Sequence, residues 1–147
     1  MGSWAPDGAG VVELADGRLV RGRGLRGARP DGPDPELGVY LIGRRPQGLA
    51  WEVHWVRCRD FSVPSSTSDA MAGLRDAHRR AGDERVEVGC GGGVGRTGMA
   101  LCVLAVLSGV PSAEAVAWVR DRYHPRAVET PWQRRWVARL DAVLTSD

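Results

Sequence analysis

Apolar and polar positions fall into short runs along the chain, which predicts short strands followed by amphipathic helices. The predicted strands are a hairpin at 11–14 and 18–21, then 39–42, 51–57 and 86–88. The predicted helices run from a Ser-Thr-Ser cap at 66–68 to about 81, over 96–108 and 112–123, and from 130 onward. Strands followed by helices indicate one α/β domain over residues 1–147, with a central, mostly parallel, twisted sheet flanked by helices and a flexible segment at 1–10.

The composition fits a single domain that can build its core without a metal ion or disulfide bonds. The chain has 147 residues, 43% of them hydrophobic, and a formal net charge of +2. This near-neutral charge favours neither nucleic acid nor a membrane as a partner. All 20 basic residues are Arg, and Lys and Asn are absent, which is typical of a GC-rich genome. The Arg and Gly content therefore carries little functional information.

Cysteine usage and hydropathy predict a cytoplasmic location, and we expect the protein to be a monomer. The longest apolar run, 99–107, is far too short to cross a membrane, and residues 1–20 lack a secretory signal. Three cysteines (Cys58, Cys90 and Cys102) are too few for a disulfide scaffold, and no Cys-x-x-Cys pair indicates zinc. We expect no cofactor and no metal.

A glycine-rich segment follows the predicted strand 86–88, at the sheet edge where α/β proteins bind ligands. Glycines there permit the positive φ angles that turn backbone N–H groups toward an anion, and a helix N-terminus follows directly. Cys90 lies where this positive potential favours a thiolate. Arg96 can bind two phosphate oxygens with its planar fork, and Thr97 can donate to the sulfur. The predicted phosphate-binding residues are Gly91, Gly92, Gly93, Val94, Gly95 and Arg96.

Two other interpretations of this segment are weaker. A plain glycine turn beside an inert, buried cysteine does not explain an Arg six residues after the Cys with a Thr next to it. A nucleotide-binding loop requires G-x-x-x-x-G-K-[ST], whereas Cys90 replaces its first Gly and Arg96 replaces its Lys.

The spacing Cys90-x-x-x-x-x-Arg96-Thr97 resembles the signature loop of the cysteine-dependent protein tyrosine phosphatase superfamily. The chain looks like a compact, dual-specificity-like actinobacterial member of that family. Residues 58–64, CRDFSVP, resemble the family's general-acid loop, usually W-P-D-F-G-x-P. Residues 127–133, AVETPWQ, resemble the segment whose Gln positions water. The resemblance extends over roughly residues 11–140.

The resemblance implies roles for five residues. Cys90 would attack phosphorus and form a phosphocysteine, with Arg96 and Thr97 stabilising the charges. Asp60 would protonate the leaving group and then deprotonate water, which Gln133 would orient. The substrate would be a phosphorylated protein, above all phosphotyrosine, or a small aryl phosphate.

Simpler explanations exist for two of these residues. Asp60 could be a solvated carboxylate paired with Arg57 or Arg59. Gln133 stands three residues after Thr130, as in a capping box, which by itself explains a Gln there.

Several features depart from the family pattern and leave rival functions open. Gly89 replaces the usual His before the cysteine, which keeps open a pseudophosphatase-type module that binds phosphotyrosine without turnover. A rhodanese-like sulfurtransferase or an arsenate reductase also uses a thiol loop. The glycine segment lacks Lys, which disfavours a lipid substrate. The Arg-rich stretch 21–29 could bind RNA or steer anionic substrates, but it lacks aromatic residues for base stacking and is predicted to be a solvated loop.

Overall fold

Five strands form one sheet in the order β1-β2-β5-β3-β4 in the computed structural model, which describes residues 2–145. Met1, Ser146 and Asp147 lie outside the described residues. β1 is antiparallel to β2, and the other three strand pairs are parallel. The strands are β1 (Val11–Glu13), β2 (Leu19–Gly24), β3 (Leu37–Ile42), β4 (Glu52–Arg57) and β5 (Val86–Cys90). The predicted α/β class and mostly parallel sheet are confirmed.

The helices follow the strands and pack around the sheet. They are α1 (Thr67–Arg80), α2 (Gly95–Leu107), α3 (Ser112–Arg122), α4 (Pro131–Ala138) and α5 (Leu140–Thr145). The Ser66 hydroxyl accepts a hydrogen bond from the Asp69 N–H and caps α1, as the sequence predicts. Within residues 2–145, no helix combines the length and the apolar character needed to cross a membrane.

The centre of the molecule is the segment from β5 to α2. β5 lies between β2 and β3, and all five of its residues are buried. Every residue of α2 from Gly95 to Ala105 is also buried. A loop joining two such elements has both ends fixed by the core, so its backbone geometry is set by packing.

Strand β2 extends past its predicted end at residue 21 and includes Gly22 and Gly24, which a sequence pattern assigns to a loop. A β-carbon at Gly22 would stand 2.5 Å from the Tyr123 ring, and one at Gly24 would stand 2.8 Å from the backbone of Gly92. Glycine is therefore required for close approach, although it usually indicates a loop. At the other end of the chain, the single predicted C-terminal helix is divided at Arg139 into α4 and α5.

Residues 2–10, part of the segment predicted to be flexible, are attached to the sheet through Trp4. Trp4 is buried, and its indole N–H donates to the Val86 carbonyl over 2.8 Å. The Arg21 guanidinium lies 4.0 Å from the centre of the Trp4 ring. One amphipathic side chain thus attaches the segment to the sheet, and a single residue produces no periodicity for a sequence pattern to reveal.

Candidate active site

The segment between β5 and α2, residues 91–95, is called the glycine loop below. Gly93 has a φ of +77°, and a β-carbon there would stand 2.5 Å from the backbone nitrogen of Gly24. Only glycine combines this conformation with this contact. Val94 caps α2 without a side-chain hydrogen bond, so the first N–H groups of the helix are free to bind an anion.

The Cys90 sulfur is held by two hydrogen-bond donors at the end of β5. The Gly93 N–H donates to Sγ over 3.2 Å, and the Thr97 hydroxyl donates over 3.0 Å. Cys90 and Thr97 are both buried. Donors aimed at a sulfur stabilise its anionic form, which is the form that acts as nucleophile.

Arg96 connects the glycine loop to residues 58–64, the acid loop. The guanidinium is buried, its Nη1 donates to the Cys58 carbonyl over 3.1 Å, and its Nη2 lies 3.4 Å from Asp60 Oδ1. Asp60 is therefore paired with Arg96, and not with Arg57 or Arg59 as the simpler explanation had it. The pairing brings the predicted acid and the predicted phosphate ligand together.

The acid loop is fastened to the start of α4. The Trp132 indole donates to the Phe61 carbonyl over 2.6 Å, and Gln133 Nε2 donates to the Ser62 carbonyl over 2.9 Å. Phe61 itself has a φ of +60°, an unusual conformation for an aromatic residue. Two side chains from a distant segment thus define where Asp60 lies.

The contacts of Gln133 correspond to the capping-box explanation. The side chain is fully buried, and its Oε1 accepts from the backbone N–H groups of Glu129 and Thr130. The Thr130 hydroxyl in turn accepts from the Gln133 N–H, which completes the capping box. The Gln133 amide is thus engaged at both ends, by the cap and by the Ser62 carbonyl, and its role in orienting water stays a prediction.

A cavity of about 120 Å³ opens beside Cys90. It brings together residues from the acid loop, the glycine loop, the segment after β2 and the segment before α4. Its lining residues are Arg26, Asp60, Phe61, Cys90, Gly92, Val94, Gly95, Arg96 and Glu129. A larger cavity of about 450 Å³, between Val63, Trp136 and Val143, contains none of the predicted site residues.

The sequence did not place Arg26 or Glu129 at the cavity beside Cys90. Arg26 belongs to the stretch predicted to be solvated, but it lines the cavity. Glu129 has its carboxylate against Gly95, where a β-carbon would meet Oε1. The position of Arg26 beside the cavity could have been predicted only from the pairing of β2 with β5.

A buried charge cluster lies behind the glycine loop. Glu87, on β5, is fully buried and accepts from the Arg21 guanidinium over 2.7 Å and from the Tyr40 hydroxyl over 2.6 Å. Arg23 lies 3.4 Å from the same carboxylate. Burial and the charge of Glu87 raise the pKa of Tyr40. Two arginines of the Arg-rich stretch are thus structural.

The two remaining cysteines differ from Cys90. Burial raises the pKa of Cys58 to about 12 and that of Cys102 to about 12, so both stay protonated near neutral pH. All three cysteines are free thiols. Among residues 2–145, no group of three or more His, Cys, Asp or Glu side chains could hold a metal ion.

Solved structures of phosphatases share this fold. Tk-PTP in the active form aligns with a TM-score of 0.69 and 25% identity, covering 89% of this chain and 96% of that one. A mutant form of Tk-PTP aligns with a TM-score of 0.65 and 27% identity, covering 78% and 81%. The kinase-associated phosphatase KAP, with its catalytic cysteine replaced by serine, aligns with a TM-score of 0.58 and 15% identity over 66% and 56%. No protein-family model matches the chain, and no curated protein matches it in sequence.

Proposed function

The chain belongs to the cysteine-dependent protein tyrosine phosphatase superfamily, and from that premise we propose that it hydrolyses phosphate monoesters, with protein phosphotyrosine as its substrate. The observation that carries the proposal is one cavity lined by Cys90, Arg96 and Asp60 beside an uncapped helix start. These are a nucleophile, an oxyanion ligand and a proton donor, the three groups that this hydrolysis needs.

In the first step, the Cys90 thiolate attacks phosphorus. A sulfur–phosphorus bond forms while the bond to the leaving oxygen breaks, and Asp60 transfers its proton to that oxygen. Arg96 and the N–H groups at the start of α2 stabilise the equatorial oxygens. We expect the incoming dianion to take over the contact of Arg96 with Asp60, since it carries more charge and accepts both arms of the guanidinium fork. Asp60, freed from this ion pair, takes up from solvent the proton that it then transfers.

In the second step, water attacks the phosphocysteine and Asp60, now a carboxylate, accepts its proton. The sulfur leaves as a thiolate that the Gly93 N–H and the Thr97 hydroxyl stabilise. Gln133 acts in this scheme through its bond to the acid loop, as a positioning residue.

Aromatic surface beside the anion site favours an aryl ester. Phe61 lines the cavity and is 54% exposed, and Trp132, which donates to its carbonyl, is 49% exposed. An exposed aromatic pair next to an oxyanion site can contact the ring of phosphotyrosine. The three free thiols support action in a reducing cytoplasm, and no second subunit is required to complete the cavity.

The proposal is tested with the purified protein in the presence of a chelator. We expect turnover of p-nitrophenyl phosphate and of a phosphotyrosine peptide, and slower turnover of the matched phosphoserine peptide. Thiosulfate with cyanide, and arsenate with a thiol, serve as alternative substrates. Peptide binding without phosphate release would identify a binding module, and activity on thiosulfate or arsenate alone would identify another thiol enzyme.

A further inference from the structure

Arg26 is held beside the glycine loop by its own backbone. The ladder between β2 and β5 continues past the end of both strands: the Leu25 N–H donates to the Cys90 carbonyl over 2.8 Å, and the Arg26 N–H donates to the Gly91 carbonyl over 3.0 Å. Position 26 is therefore fixed relative to the nucleophile, although its side chain is exposed.

The guanidinium of Arg26 lies over two glycines. A β-carbon at Gly91 would stand 3.2 Å from Arg26 Cζ and 3.3 Å from Arg96 Nη2, and one at Gly92 would stand 3.2 Å from Arg26 Nη2. Both guanidinium groups thus come within contact distance of the same point. Because neither glycine has a side chain, Arg26 occupies the mouth of the cavity without obstruction.

Its charge is not neutralised by a neighbour. Arg21 and Arg23 pair with Glu87, and Arg29 pairs with Asp34. For Arg26, the described part of the chain provides no carboxylate within ion-pair distance. A planar fork of donors that faces a ligand cavity and lacks a partner fits a carboxylate or a phosphate.

We propose that Arg26 determines substrate specificity by binding a second anionic group of the peptide, a phosphate or a carboxylate, close to the phosphate that is hydrolysed. The inference rests on the proposed function. Arg96 is buried and contacts the acid loop, so it is placed for the reacting phosphate. Arg26 is exposed at the rim, so it is placed for the neighbouring residue of the substrate.

The test uses matched phosphotyrosine peptides. The residue on either side of the phosphotyrosine is Ser, Glu or phosphoserine, and kcat and KM are measured for each. For the wild-type protein we expect a second anion on one side to raise kcat/KM roughly tenfold over Ser, mainly through KM, as for a charged hydrogen bond. The Glu and phosphoserine peptides separate the carboxylate from the phosphate as the preferred source of charge.

Single substitutions test whether the Arg26 side chain produces this preference for a second anion. In Arg26→Ala the ratio of kcat/KM for doubly and singly anionic peptides should fall to about one, and Arg26→Lys should keep part of it. Arg29→Ala, an exposed arginine of the same stretch, is the matched control and should keep the wild-type ratio. A wild-type ratio of one, or an unchanged ratio in Arg26→Ala, would overturn the proposal.

Binding of the same peptides to Cys90→Ser by calorimetry gives the ratio independently of turnover. A wild-type protein inactive on every phosphate ester would contradict the proposed function, while the calorimetric ratio would still decide the role of Arg26. Equal calorimetric affinities for all peptides would reject the second-anion site.

Discussion

The ring of Tyr40 occupies the space that a side chain at Gly89 would need. A β-carbon at position 89 would stand 3.1 Å from Tyr40 Cδ1 on one side and 2.8 Å from the Arg23 carbonyl oxygen on the other. The ring is fixed in turn, because its hydroxyl donates to Glu87 and accepts from the Trp51 indole. The Gly that replaces the family's usual His is thus part of a packing arrangement between three strands.

Gly89→Ala should therefore destabilise the protein. Overpacking of this kind costs about 1–3 kcal/mol, and the contact on one side is backbone, which cannot swing away. Denaturant unfolding measures the effect, with Gly43→Ala as the control because nothing lies within 4 Å of a β-carbon there. Equal stability of the two variants would show that β5 can shift to admit a side chain, and Gly89→His would then be worth making.

Replacing the nucleophile should separate binding from chemistry. Cys90→Ser should lose turnover because a serine hydroxyl does not ionise near neutral pH, while the loop N–H groups and Arg96 still bind phosphate. Initial rates and phosphate calorimetry measure the two effects. Cys102 is buried on α2, so the Cys102→Ala variant is the control and should stay active. Substantial turnover by the serine variant would remove Cys90 from the mechanism.

A general acid matters most when the leaving group is a poor one. Asp60→Asn should lower turnover of a phosphotyrosine peptide by roughly a hundredfold to ten-thousandfold, and turnover of an activated aryl phosphate much less. The variant should also lose the alkaline limb of the pH–rate profile, since that limb reports the loss of the acid's proton.

The control for Asp60 is Asp69→Asn, because Asp69 lies in the first turn of α1 and contacts His54 outside the cavity. Rates should be compared where formation of the phosphocysteine is limiting. If Asp60→Asn slows both substrates equally and keeps the wild-type profile, Asp60 is a structural residue that holds Arg96.

Alkylation should distinguish the three cysteines. With the pKa of Cys58 and of Cys102 raised to about 12 by burial, both remain protonated thiols from neutral pH to about pH 9, so raising the pH over this range should not make them reactive. Iodoacetamide should modify Cys90 alone, and phosphate should slow the reaction. Mass spectrometry locates the adduct, and the denatured protein, where all three should react, is the control. Modification of Cys58 in the folded protein would contradict its buried position.

The acid loop illustrates what could not be foreseen. The sequence indicates Asp60 through its Phe-x-x-Pro context, but the contacts that hold Asp60 come from Arg96 and from the start of α4. These residues are 36 or more positions away along the chain. A local pattern contains no information on such pairs, whose distances depend on how whole elements pack.

The amino-acid sequence by itself determined the local structure of the segment from β5 to α2. A short apolar run, a cluster of glycines and an apolar helix predict a strand, an anion-binding loop and a helix start, because φ freedom and helix dipoles are properties of neighbouring residues. Cys90, Arg96 and Thr97 follow from that segment. Tertiary structure alone decided that Tyr40 fills the space at Gly89, that Gln133 donates to the Ser62 carbonyl of the acid loop, and that Arg26 faces the cavity. Each of these depends on a pairing between distant strands or helices, and such a pairing is set by the packing of the whole core.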